Sequence, residues 1–227
     1  MSGPRVERAA VVILAAAVLA GCGGSLLPAR GEPVRLYALQ AVAPAQRMAC
    51  PVRFSVRDAR LAGHLERPEV VVARDGPRIE APLGAQWAAP LAPELKRLLS
   101  RALADRLDGS VPVAHPWRLE DAPRLAVTVD FDRLEPEGDR LRAVGVWRIA
   151  DVAAGRGIDV GRFDEALGLA DAPGTDRAAA TVAAIDVALG RLADRLATRV
   201  AAGAGADCGA SILPVSDSSS TFTFVPA

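Results

Sequence analysis

The chain has 227 residues, 51% hydrophobic, 4% aromatic and 24% charged, with 27 basic residues matched by 27 acidic ones. That balance lacks the clustered basic excess of a nucleic-acid-binding surface, and the length fits one domain of ordinary size. Lys96 is the sole lysine; with abundant alanine this reads as the composition bias of a GC-rich genome and gives no single arginine special weight.

The amino-terminal stretch has the layout of a secretory signal. Arg5 and Arg8 form a basic start and residues 9–20 carry no charge, an apolar run of the roughly 7–15 residues that signal peptides use. It falls short of the about 20 residues that a bilayer-spanning helix needs. Leu19-Ala20-Gly21-Cys22 resembles a bacterial lipobox, in which the cysteine thiol receives a diacylglycerol and the chain is cut just before it. The expectation is a signal peptide over residues 1–21 and a lipid on Cys22. One acyl chain anchors only marginally, whereas two or three hold a protein durably. Gly23 and Gly24 stand where an aspartate would resemble an inner-membrane retention signal. The expected location is therefore the periplasmic face of the outer membrane of a Gram-negative cell. Residues 22–33 read as a flexible tether, leaving a single domain over 34–202.

Within that domain, residues 34–39 alternate weakly and predict an edge strand, and residues 40–49 a loop. Val52, Phe54 and Val56 alternate with Arg53, Ser55 and Arg57, the period of a half-buried strand. Pro68 ends an irregular approach and opens a β-branched strand through Val70, Val71 and Val72, a position where proline is tolerated. Asp75-Gly76 supplies the positive-φ residues of a tight turn, and Ile79 begins the return strand. Pro90 and Pro93 lie at a helix start, where a missing N–H costs nothing. Leu91, Leu95, Leu98, Leu99, Ala102, Leu103 and Leu107 then form one apolar stripe, which Asp108-Gly109 stops.

Residues 111–113 predict a short strand and His115-Pro116-Trp117 a loop. Leu125, Val127, Val129 and Phe131 alternate with polar residues, residues 135–139 predict a turn, and Leu141 to Ile149 supply the partner strand. A turn at 155–157 and a strand at 158–167 complete an antiparallel meander. Thr175 is placed to cap a second helix, carried by Val182, Ile185, Leu189, Leu192, Leu196 and Val200 and ended by Gly203. Residues 203–227 read as largely disordered, a strand at 221–225 being the lesser option. Trp147 is expected in the core and Trp87 beneath the first helix, a contact role being the alternative for Trp87. The fold class expected is α+β: a mostly antiparallel sheet packed against two long amphipathic helices.

Cys50 precedes the first core strand and Cys208 follows the last helix. An oxidising compartment permits a bridge between them, and closing so long a loop would contribute about 4–5 kcal/mol; two unpaired thiols are the alternative. Scattered cysteines and histidines show no zinc spacing, and no metal or other cofactor is expected.

The Leu65-Glu66-Arg67-Pro68-Glu69-Val70-Val71 step, the hairpin, Trp87 and the helix after it resemble the PqiC-like, or ABC-type transport auxiliary lipoprotein, family. So do Tyr37-Ala38-Leu39 after the tether and Trp147-Arg148-Ile149. The resemblance spans residues from about 19 to about 202; His64 departs from it, standing where the family often has tyrosine, and so does the tail after Gly203. It implies a non-enzymatic auxiliary protein working with an MCE-type periplasmic protein and an ABC permease and ATPase to move lipids, with a ring of copies as one arrangement. Leu65, Glu66, Arg67 and Pro68 are the expected partner contact. A lipid or small-ligand binding module acting alone is the alternative.

A hydrolase is the third reading. Catalysis by Ser, His and Asp needs a base beside its nucleophile and a third group orienting it, and no G-x-S-x-G signature is present. His64 and His115 are the only histidines, and His115 reads as a loop residue. Asp130 and Asp132 read as solvent-facing charges on the meander. No glycine-rich loop opens a helix to hold a nucleotide phosphate, so no catalytic residue is assigned.

Overall fold

The alternation that begins at Leu125 is the chain's clearest strand pattern, and in the computed structural model it forms the middle of a five-stranded sheet. The structure describes residues 33–44, 46–169, 176–208 and 212–213. The strands are β1 (Arg35–Tyr37), β2 (Arg47–Ala49), β3 (Arg53–Leu61), β4 (Ala73–Asp75), β5 (Arg78–Glu80), β6 (Ala85–Trp87), β7 (Leu107–Asp108), β8 (Val111–Pro112), β9 (Leu125–Glu137), β10 (Arg140–Asp151), β11 (Arg156–Gly168) and β12 (Ile212–Leu213). The helices are α1 (Leu91–Arg106) and α2 (Arg177–Ala204).

The large sheet runs β11-β10-β9-β3-β8. Its meander, β9 to β11, pairs antiparallel, but β3 joins β9 in parallel and β8 joins β3 in parallel. The class is α+β, and the sheet is mixed where a mostly antiparallel one was expected. The reason is topological: a parallel pair needs a crossover, and the segment holding α1 supplies it between β3 and β9. Helix α1 packs chiefly on β3, and α2 lies along β9, β10 and β11. Leu95, Leu99 and Leu103 of α1 and Ile185, Leu192, Leu196 and Val200 of α2 join one buried core with Phe54, Val56, Val127 and Ile149. Trp147 is in that core, 2% exposed. Gly161 on the neighbouring strand makes room for it, since a Cβ there would stand 2.2 Å from the indole Cζ2.

Helix α2 is buried on more than its sheet-facing side, because residues 38–44 lie along it as a strap. The Gln40 N–H donates to Asp186 Oδ1 at 2.8 Å, and Val42 sits over Gly190, where a Cβ would come within 3.1 Å of it. The helix is capped by Asp176, whose carboxylate accepts from the Ala178 N–H at 3.0 Å; the expected cap, Thr175, lies outside the described residues. Asp176 also takes the Arg35 guanidinium at 2.5 Å and the Tyr37 hydroxyl. At the other end α2 runs one residue beyond Gly203, and Gly205, at φ +63°, closes it, a left-handed position that glycine fills without strain.

Several local expectations change in three dimensions. The 40–49 loop contains β2, which pairs with β7 in parallel and β12 antiparallel. Residues 205–207 form a 3-10 turn and Ile212–Leu213 a strand, so this part of the tail is ordered; residues 221–225 lie outside the described residues. Helix α1 ends at Arg106 because Leu107–Asp108 leaves to pair with β2. The β-branched run is not a strand: Val70 and Val71 are both buried, 0% and 5% exposed, but the run makes single bonds, Val70 N–H to the Ala85 carbonyl and Val72 N–H to the Glu80 carbonyl, beside one isolated bridge at Glu69, and no continuous ladder. Only Ala73–Asp75 pairs, with β5. In that hairpin Gly76 has φ +53°, whereas Asp75 has no positive φ. The predicted turn at 135–139 shrinks to Gly138 and Asp139, as β9 continues through Glu135 and Pro136.

At the end of the sheet where β3 and β9 begin, Arg106 is 1% exposed. It donates to Asp194 Oδ1 at 2.5 Å and to the carbonyls of Ala102 and Gly190, locking α1 to α2. Beside β2 and β7, the structure joins Cys50 to Cys208 by a disulfide.

Candidate docking groove

At the opposite end of the sheet, where β3 finishes at Leu61, the chain turns through a 3-10 helix at Gly63–Leu65. Here the Leu65 N–H bonds to the Ala62 carbonyl at 2.8 Å. Leu65 itself is 2% exposed and belongs to the core. It cannot be the contact residue expected of it, and it serves instead to seat the exposed residues that follow.

Glu66, Arg67 and Pro68 are exposed and form one wall of a half-open groove of about 490 Å³. The opposite wall is Trp87 to Pro93, and Leu61 and Leu91 contribute to the lining between them. The walls are tied together at their base. The Trp87 N–H donates to the Pro68 carbonyl at 2.7 Å, and the Val70 N–H to the Ala85 carbonyl at 2.9 Å. Pro90 precedes the first turn of α1 and Pro93 lies in it, so the wall is stiff where a peptide loop would otherwise flex. Trp87 packs against the core with one side and lines the groove with the other. The sequence leaves packing beneath the helix and a contact role both open for it, and the side chain packs and lines the groove at once. Arg67 is engaged by Glu69, Nε to Oε2 at 3.0 Å, and that contact, with a backbone hydrogen bond, holds the Glu69 carboxyl below the usual range. Apart from Glu66 and Arg67 the lining side chains are apolar.

Behind the groove lies a residue that sequence reasoning missed. Glu135, read as part of a turn, is fully buried. Its carboxylate accepts from Arg74 at 2.8 Å, from Arg133 at 3.2 Å and from the Leu134 N–H at 2.8 Å, with His64 Nε2 at 3.4 Å. Burial pushes this carboxyl up, but the Leu134 amide and the three side chains together bring it below the ordinary glutamate value. The knot joins the 3-10 turn, the β4–β5 hairpin and the end of β9, and so positions the first wall. His64 is thereby a structural residue.

The other candidates separate. His115 stacks edge-on to Trp117, ring centres 4.9 Å apart, and its carbonyl accepts from Lys96. Asp130 is ion-paired with Arg148 and Arg60. Among the described residues no three His, Cys, Asp or Glu side chains gather as a metal site, and no helix is long and apolar enough to cross a membrane. Cys22 lies outside the described residues.

A model of the ABC-type transport auxiliary lipoprotein component family matches residues 37–197. The chain belongs to that family. Members of the ABC-type transport auxiliary lipoprotein family are transport accessories, not an enzyme class. No curated protein matches the sequence. A crystal structure of an uncharacterized protein superposes with a TM-score of 0.60 at 16% identity, covering 74% of this chain and 99% of that one. A Xanthomonas campestris protein of the DUF330 family superposes with a TM-score of 0.56 at 20% identity, covering 71% of this chain and 92% of its own. Likenesses at that identity establish a shared fold; the groove and its chemistry rest on this chain's own residues.

Proposed function

We propose that this family member is a non-enzymatic, lipid-anchored envelope protein whose groove docks a periplasmic partner. In this reading the signal peptide covers residues 1–21, Cys22 carries the lipid at the outer membrane, residues 22–33 are the tether, and residues 34–202 are the domain it presents. The partner is an MCE-type protein acting with an ABC permease and ATPase in moving lipids between membranes, and a ring of copies would repeat the groove around a shared axis.

The observation that supports this reading best is the groove itself. Its first wall is the exposed Glu66-Arg67-Pro68 step, fixed from behind by the Glu135 knot, and its second is a proline-stiffened, apolar helix start. Rigid apolar concavities with few polar groups are what binding sites look like. The rival reading, a module that carries lipid between sheet and helices, lacks support: that interface is filled by Leu95, Leu99, Leu103, Ile185 and Leu196, each at most 1% exposed.

The test is capture of an MCE-type partner from detergent-solubilised envelopes by the full-length lipoprotein. Ala89→Arg, in the exposed groove wall, is expected to reduce capture at least tenfold, while the same change at Val160, 66% exposed on β11, leaves it intact. Undiminished capture by the Ala89→Arg protein, or lipid copurifying with the domain in place of a partner, would overturn the docking reading. Cys22→Ala is expected to free the protein from the membrane or leave it unprocessed.

A further inference from the structure

Strand β1, the first strand after the tether, pairs with β6 so that the Arg35 N–H reaches the Gly84 carbonyl at 2.8 Å. Arg35 and Tyr37 turn toward Asp176 at the start of α2. Leu36, between them, therefore points the other way, and it is 66% exposed. Gln86 stands opposite Leu36 in the register, and its side-chain amide donates to the Leu83 carbonyl at 3.2 Å. Leu83 is 75% exposed. Two leucines thus crown one corner, with Pro82, Gly84 and Gln86 about them and the Arg67–Glu69 pair beside Gln86.

We propose that this corner rests in the bilayer interface, with Leu36 and Leu83 inserted among the lipid headgroups next to the anchor. The proposal rests on the lipid at Cys22 put forward above. Eleven residues separate Cys22 from Val34, a reach of at most about 40 Å, and the tether ends at β1 itself. Two leucines bury far too little area for a protein interface. A membrane asks for less, because an anchor already in place makes the second contact intramolecular and each apolar side chain adds to it. The charges beside the corner are matched, Arg35 by Asp176 and Arg67 by Glu69, so apolar burial rather than attraction to anionic lipids carries the contact.

Leu119 supplies the control. It is 91% exposed in the 3-10 helix at Leu119–Asp121, where Arg53 at the start of β3 donates to the Asp121 carbonyl. That is the far end of a nine-residue strand, roughly 25–30 Å away. The lipidated full-length protein would carry Leu83→Cys or Leu119→Cys, labelled with NBD and reconstituted into phosphatidylethanolamine/phosphatidylglycerol vesicles. Flotation reads the anchor, and quenching by headgroup-proximal doxyl lipid reads the corner.

The label at position 83 is expected to be quenched at least threefold more than the label at 119, and equally in 0.5 M salt. Adding Leu36→Asp should reduce that quenching severalfold without loss of flotation. Flotation with no difference between the two positions would overturn the corner while leaving the anchor standing. Failure to float would remove the anchor and the corner together.

Discussion

Replacing Glu135 by glutamine would keep the volume of the buried side chain and remove the charge on which Arg74, Arg133 and His64 converge. Breaking a buried ion pair by deleting one member costs about 3–5 kcal/mol. Here the stranded partners have some escape, since the Arg74 and Arg133 side chains are 28% and 27% exposed and can turn toward water. That discount brings the expected loss to about 2–3 kcal/mol. For a domain of this size a kilocalorie shifts the melting temperature by about 2–4 °C, so the variant should melt about 5–10 °C below the parent at pH 7. The folded carboxyl lies below the ordinary glutamate value. Its contribution is therefore complete above the unfolded pKa of about 4.3 and disappears as the pH falls through the folded value. Melting curves by circular dichroism at pH 7 and pH 3, with the disulfide intact, check both halves. Equal melting temperatures at pH 7, or a gap that is undiminished at pH 3, would refute the account of the knot.

Two further predictions concern α2 and the segment that follows it. Asp186 is pushed up to about 6 by burial, against the Gln40 hydrogen bond that favours its ionised form. A folded value raised above the unfolded one means stability is lost as the pH rises between about 4 and 6. Asp186→Asn keeps an acceptor for Gln40, so it should be about 1 kcal/mol more stable than the parent at pH 7.5 and equal to it at pH 4, as read from urea midpoints. The Cys50–Cys208 bridge spans a sequence separation of 158. Its loss in the double serine variant should cost about 5 kcal/mol, with free thiols appearing in the native parent only after reduction. Thiols titratable in the unreduced, denatured parent would contradict the bridge.

The meander was legible from local pattern, since Leu125, Val127, Val129 and Phe131 announce their face in the order of the residues themselves. Glu135-Pro136 was misread because acidic residues, proline and glycine in succession carry turn chemistry. The stretch is a strand because it pairs with Leu141 and Arg142 of β10, and the groups that allow Glu135 to be buried there include His64 and Arg74, far back in the chain where no local window sees them. Leu65 was misassigned for a related reason: a leucine between a histidine and a glutamate looks available, and only the 3-10 turn decides that it faces inward. The groove was half visible. Glu66, Arg67 and Pro68 drew attention as a step, while Trp87 and the proline pair looked like helix-start grammar until packing set the two segments side by side. The parallel placement of β3 beside β9 depends on what α1 crosses, a matter of topology that alternation within either strand does not report.

The strap and the bridge together determine how the domain answers a pull from its amino-terminal end. Load arriving at Arg35 meets first the Asp176 carboxylate and the short ladder to β6, then the Gln40–Asp186 bond and the Val42 seat on Gly190. All of these are non-covalent and can peel. At Cys50 the peeling stops, because the load passes through sulfur into Cys208 and the carboxy-terminal end of α2. Residues 35–49 act as a shock absorber of fixed travel. The large sheet and the Glu135 knot lie beyond the stop, whereas the second wall of the groove feels the first slack: Tyr37 pairs with Trp87 and its carbonyl accepts from the Ala88 N–H, so peeling β1 removes one tie on that wall while the Trp87–Pro68 bond across the base remains.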